Sequence, residues 1–294
     1  MALKDVTSEP LPVLPAREDE SHKGTYGRAL VVGGSRGKAG AAALAGKAAL
    51  RSGAGLVTVL VPRAIQETVA SFEPAMMTVG LGASNCDELL QEFAPEIKEL
   101  AKDKNCLALG PGLGTSASTF RLVHSLYHHV EQTMVVDADA LNAMAAWSEG
   151  LKHPSGSRIL TPHPGEFERL TGEPCADEAR VRAEQAAALC RRDMTDQTVV
   201  VLKGHHTIVT DGSRVSFNQT GNPGMATGGT GDVLTGIITA LVAQGLETWE
   251  AARLAVHVHG LAGDLAAEKL GQVSLIASDL LNFLPEVFLK MGNR

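Results

Sequence analysis

The chain has 294 residues with a formal net charge of −7, and its lysines and arginines form no block or stripe, which argues against nucleic acid or a membrane surface as partner. With 44% apolar residues it can bury a large core. The scarcity of aromatics (4%) beside 31 glycines favours helices packed closely on a sheet over an aromatic-rich sandwich.

Residues 1–20 form a Pro-rich lead-in with mixed charges and no apolar stretch of signal-peptide type, so we expect a cytoplasmic protein, a poorly ordered lead-in and one domain over 21–294. No run approaches the length of a membrane span. Cys86, Cys106, Cys175 and Cys190 stand far apart and read as reduced structural thiols.

From there "RALVVGG", "AGAAALAGKAALRSG" and "LVTVLVP" read as strand, helix, strand. The helix is rich in small residues and ends in the usual way, with Arg51 in its last turn and Gly53 just beyond. "NCLALG", "TMVVDAD", "RILTPH" and "TVVVLKG" continue the alternation as unbroken apolar runs, the pattern of strands covered on both faces. "HTIVT" and "RVSF", joined by Asp-Gly-Ser, predict a small antiparallel hairpin over 206–217. Helices are predicted over 231–245, 248–270 and 275–290. The fold class is α/β, a doubly wound and mostly parallel sheet flanked by helices.

In such sheets ligands bind beyond the carboxyl ends of the strands, so the segments that follow each strand carry the function. Gly228, Gly229 and Gly231 allow a backbone nest for phosphate at the start of the 231–245 helix, with Thr230 inside it and the helix dipole behind. Asp232 is placed to accept a proton from a hydroxyl as that hydroxyl attacks phosphorus, and the dipole is expected to keep it ionised. An isolated Asp there would more simply cap the helix; three glycines and the preceding Asn222-Pro-Gly turn favour the base. "KGHHT" offers Lys203 as a point charge and Thr207 as a hydroxyl to a phosphate. Two prolines fix His163 in "TPHPGE", with Glu166 at the start of a helix. Asp137, Asp139 and Asn142 follow another strand, where one caps a helix and the others are free for substrate or hydrated Mg²⁺. The His257/His259 pair is set aside because i and i+2 lie on different helix faces, and "GGSRGKAG" is not a P-loop because Ala39 follows Lys38.

Taken in order, "SHKGTYGRALVVGGS", "GKAGAAALAGKAALRSGAGLVTV", "GPGLG", "DADALNA", "LTPHPGEFERL", "VLKGHHTIV" and "NPGMATGGTGDVLTGIITALVAQG" resemble the NAD(P)H-hydrate dehydratases of the ribokinase-like superfamily. The likeness runs from about residue 21 to the end; the G-T-G-D run by itself would indicate only the superfamily. It implies dehydration of the S epimer of NADH hydrate or NADPH hydrate with ADP converted to AMP and phosphate, in a stand-alone enzyme of bacterial type. ATP is left open as a donor, and Mg²⁺ is implied as the bridge between phosphates. The resemblance places nucleotide contacts on Lys203, Gly204, His205, His206, Thr207 and Gly231. It places hydrate contacts on Ala41 or Ala42, Gly112, His163 and Asp232. Homo-oligomers, often tetramers, are common in the family. A small-molecule kinase of the same fold and a non-catalytic nucleotide sensor are the competing readings.

Overall fold

The computed structural model describes residues 3–147 and 151–292. The strands are β1 (Lys4–Asp5), β2 (Arg28–Val32), β3 (Leu56–Pro62), β4 (Met77–Leu81), β5 (Cys106–Leu109), β6 (Thr133–Val136), β7 (Arg158–Leu160), β8 (Thr198–Leu202), β9 (Ile208–Thr210) and β10 (Arg214–Phe217). They form one sheet in the order β1-β10-β9-β8-β7-β6-β5-β2-β3-β4. Strands β2 through β8 run parallel, while β9 pairs antiparallel with both β8 and β10, giving the hairpin expected around Asp211. Gly212 takes the positive φ of that turn, and Asp211 accepts from the backbone N–H groups of Ser213 and Arg214.

The helices are α1 (Ala39–Arg51), α2 (Gln66–Phe72), α3 (Ala94–Ala101), α4 (Ala117–His129), α5 (Asp139–Met144), α6 (Pro164–Thr171), α7 (Ala179–Cys190), α8 (Thr230–Ala243), α9 (Thr248–Leu270) and α10 (Ala277–Lys290). They cover both faces. Ala29 and Val31 of β2 point to the core under α1, α8, α9 and α10, and Leu30 and Val32 point to the core under α3 to α7. That alternation on two covered faces is why the strands read as unbroken apolar runs. The small residues of α1 let α8 approach closely: a Cβ at Gly236 would lie 2.7 Å from the Ala48 methyl and would strike the Ala45 backbone.

The lead-in is tied down. β1 pairs with the sheet edge β10, Val6 is buried, and the Arg253 guanidinium donates to the carbonyls of Val6, Glu9 and Pro10. Strand β4 and helices α2 and α3 fill the stretch between β3 and β5, where no element was predicted. All four cysteines are unpaired, and no described helix is long and apolar enough to cross a membrane.

Candidate active site

The carboxyl ends of β6, β7 and β8 bring Asp137, His163 with Glu166, and Lys203–Thr207 into one cavity of about 850 Å³. The first turn of α8 and residues 218–227, which follow β10, close its other sides. Asp137 sits at its floor, where its carboxylate accepts from Lys203 Nζ and Thr235 Oγ1, each at 2.8 Å. Burial drives the Asp137 pKa upward, but the Lys203 ammonium and the hydroxyl donors outweigh it, so Asp137 stays below the usual carboxylate range. Lys203 is correspondingly raised: burial works against its charge, and Asp137 and then Glu166 overcome that. Glu166, 3.7 Å from Lys203 Nζ, is pushed up by burial.

The sequence reading of Lys203 therefore changes. Its charge is shared between two carboxylates, so it holds the floor together and is no free point charge for a phosphate. The next residue but one after Asp137 also has a job other than capping: the Asp139 carboxylate accepts from Gly114 N at 2.9 Å and from Lys38 Nζ at 3.0 Å. No side chain caps α5, and between the two acids Ala138 adopts φ 50°, a left-handed conformation costly for a residue with a Cβ.

Asp232 occupies the first turn of α8 and faces the cavity. The N–H groups of residues 228–232 find no protein acceptor among the described residues, leaving a cradle of donors at the helix entrance. Only Gly229 of the three glycines uses positive φ, at 93°; Gly228 faces open space, and Gly231 leaves room for Lys203 Nζ, which would lie 3.3 Å from a Cβ there. Asp232 is not held ionised as the helix dipole suggested. Burial foremost, then the nearby Asp137 charge, push its pKa up to about 7 against the partial relief of Lys203. A dipole is worth only about 0.3–1 kcal/mol, too little to offset those effects.

The other expected residues divide. His163 lines the cavity, yet its Nδ1 also accepts from Gly165 N and Glu166 N, and the Glu166 carboxylate in turn accepts from His163 N at 2.8 Å, a reciprocal cap on α6. Gly204, His205, His206 and Thr207 line the cavity, although the Thr207 hydroxyl is already donated to the Gly204 carbonyl. Asn222 lines it as well. Gly112 and Ala41 meet each other in a neighbouring locus where the loops after β2 and β5 cross, with Ser35 Oγ donating to Gly112 O at 2.9 Å. Ala42 is buried in the core and cannot present its methyl to a ligand there. Asn142 does not line the cavity, and its amide oxygen accepts from Arg169 Nε at 2.8 Å.

Two residues escaped the sequence reading. Thr235 is one turn beyond Asp232 and fixes Asp137. His259, set aside above, lines the cavity and donates from Nε2 to the Thr230 carbonyl at 2.9 Å; burial holds it neutral by lowering its pKa to about 4. Helix α9 also carries Glu250, Arg253, His257 and Asp264, so no local signal singled His259 out.

A mostly parallel sheet whose strand ends meet a glycine-entered helix, with a carboxylate in that helix's first turn facing the cavity between them, defines a ribokinase-like protein, and the structure superposes on a ribokinase-like superfamily protein of Enterococcus faecalis with a TM-score of 0.78 at 28% identity, covering 94% of this chain and 92% of that one. Residues 29–286 match the family model described as NAD(P)H-hydrate dehydratase, and the chain belongs to that family. It is similar to the ADP/ATP-dependent NAD(P)H-hydrate dehydratase of Bacillus subtilis, a structure co-crystallized with ATP/Mg²⁺, at 33% identity and a TM-score of 0.79, with 94% of each chain covered. It is 47% identical over 276 residues to the bifunctional NAD(P)H-hydrate repair enzyme of Moorella thermoacetica, covering 93% of this chain and 51% of that protein. The chain thus spans about half the length of the curated relatives it matches.

Proposed function

We propose that this protein removes water from NADH hydrate or NADPH hydrate at the expense of a nucleotide phosphoryl group. The observation that carries the reading is Asp232, a carboxylate with a pKa near 7 beside unpaired N–H donors in an 850 Å³ cavity. A base is most effective when its pKa lies near the working pH. Asp232 takes the proton of the ring hydroxyl as its oxygen attacks the terminal phosphorus of ADP, and AMP leaves. The N–H groups at the α8 entrance neutralise charge growing on the transferred phosphoryl. Phosphate then departs with the former hydroxyl oxygen, pushed by the ring-nitrogen lone pair, and loss of a proton from the adjacent carbon restores the ring double bond. Hydroxide leaves poorly and phosphate leaves well, which explains why a dehydration needs a nucleotide.

His163 follows β7 and Gly112 follows β5, the strands that flank the strand of Asp137, and His163, Gly112 and Ala41 are assigned to the hydrate; residues 204–207 and Gly231 are assigned to the nucleotide. No three described Asp, Glu, His or Cys side chains are arranged to hold a metal. Mg²⁺ keeps several waters and binds through phosphates and one or two carboxylates, so it would arrive with the nucleotide, its waters reaching Asp137 or Glu166. There it would neutralise phosphate charge. An exposed apolar run at Leu270, Val273 and Ile276 favours an assembled form, as the family suggests.

The test incubates the purified protein with NADH hydrate and either ADP or ATP while nicotinamide absorbance and free phosphate are followed together. Equal rates of both signals are expected. Accumulation of a phosphorylated substrate without recovery of absorbance identifies a kinase instead, and nucleotide binding without turnover identifies a sensor.

A further inference from the structure

Residues 218–227 form one wall of the cavity, contain no strand or α-helix, and yet are seated on α9 at several points. The Thr220 hydroxyl donates to the His257 carbonyl at 3.0 Å. Gly260 and Gly263 remove side chains where the wall touches the helix: a Cβ at Gly260 would strike Thr220, and one at Gly263 would strike the Met225 side chain. Asp264 supplies the polar contact, accepting from Gly221 N at 2.8 Å through Oδ2 and from Asn222 Nδ2 at 2.9 Å through Oδ1. Asn222 in turn accepts from Gly224 N through its own oxygen, so the Asp264 bond fixes which way its amide faces. Asp264 itself does not line the cavity.

We infer that Asp264 is a positioning residue that holds Asn222 and the 220–222 turn in the shape of the nucleotide-binding wall, an inference that rests on the reading of this cavity as a nucleotide site. A loop without its own ladder of hydrogen bonds needs such an anchor to be preorganised, and losing it means that each binding event must order the turn. The effect therefore falls on nucleotide affinity, while Asp232 and the α8 entrance, tied to α9 by the His259 bond to the Thr230 carbonyl, keep their chemistry.

The experiment is an exchange of the two partners, with ADP affinity measured by calorimetry and kcat and KM for ADP measured with NADH hydrate. Asp264→Asn leaves two amides facing each other and should weaken ADP binding and raise its KM about tenfold, with kcat within about twofold. Asn222→Asp sets two carboxylates together and should weaken binding at least as much. The double variant Asp264→Asn/Asn222→Asp restores the bond with its direction reversed and should return affinity to within about threefold of wild type. Wild-type affinity in Asp264→Asn, or a double variant no better than the singles, overturns the inference. If Asp264→Asn does not fold, Asn222→Ala decides: a tenfold loss supports the anchor and an unchanged affinity refutes it. Wild-type protein that binds ADP but leaves NADH hydrate untouched counts against the proposed reaction, and the calorimetric cycle still tests the anchor.

Discussion

Replacing Asp232 with Asn should make the protein more stable and abolish its activity, and the stability gain should depend on pH in a way the structure specifies. In the fold the carboxyl titrates near 7, against an ordinary value of 3.8. Between those values the folded protein keeps the proton that the unfolded chain releases, so the native state binds more protons and stability falls as pH rises from about 4 to about 7. Three pH units at about 1.4 kcal/mol each place the ceiling near 4 kcal/mol. Asn cannot ionise, so it avoids both the burial of charge and the repulsion from Asp137. It forgoes the favourable interaction of a charge with the start of α8, roughly 0.5 kcal/mol, leaving a gain of about 3.5 kcal/mol at pH 8. Below pH 4 the two proteins should be equally stable. Urea unfolding at pH 5 and pH 8 measures the gap directly; a slope of about 3 kcal/mol per molar would turn the pH 8 difference into a midpoint shift of about 1 M. Loss of the base should lower turnover by roughly 10²–10⁴. A gap that fails to widen with pH, or wild-type turnover in the Asn variant, would refute the assignment of Asp232 as a desolvated base.

Lys203→Met strands Asp137 as a buried carboxylate with only hydroxyl donors, and urea unfolding at pH 7 should show a loss of about 3–5 kcal/mol. His163 has two roles that two variants separate: His163→Ala removes the cap on α6 and should cost about 1 kcal/mol, while His163→Ser keeps an acceptor for the helix and should retain stability. Both should raise KM for the hydrate. Gly236→Ala inserts a methyl between α8 and α1 and should destabilise by about 1–3 kcal/mol in thermal or urea unfolding, with little change if the helices can part freely. Activity in wild type should rise with pH through about 7 as Asp232 loses its proton, so a pH profile of kcat/KM that falls over that range would contradict its role as base.

The architecture was legible because each element announces itself locally. Unbroken apolar runs gave β2, β3, β5, β6, β7 and β8, Asp-Gly-Ser gave the hairpin, and the apolar period gave α9 with its observed bounds. The edge strand β4, with the half-exposed sequence MTVGL, carries too weak a pattern to stand out. The two-residue β1 is a strand only because β10 offers it an edge. In the site, the short-range motifs brought forward Asp232, His163, Glu166, Asn222 and residues 203–207, all of which face one cavity. That Asn142 would meet Arg169 and Ala42 the core was not legible, because a helix rotation of one residue decides whether a side chain meets a strand end, another helix or the core.

Local sequence determined that this chain builds a parallel sheet with glycine-rich strand ends and a carboxylate at the entrance to an apolar helix, since hydrophobic period, turn residues and helix signals act over a few positions. Tertiary structure alone decided the charges. Asp137 meets Lys203 across 66 residues, Asp232 titrates near neutrality because distant elements bury it beside a second acid, and His259 reaches Thr230 because α9 packs on α8. Ionisation depends on solvent exclusion and on every charge within a few ångströms, and those neighbours come together only when the chain folds.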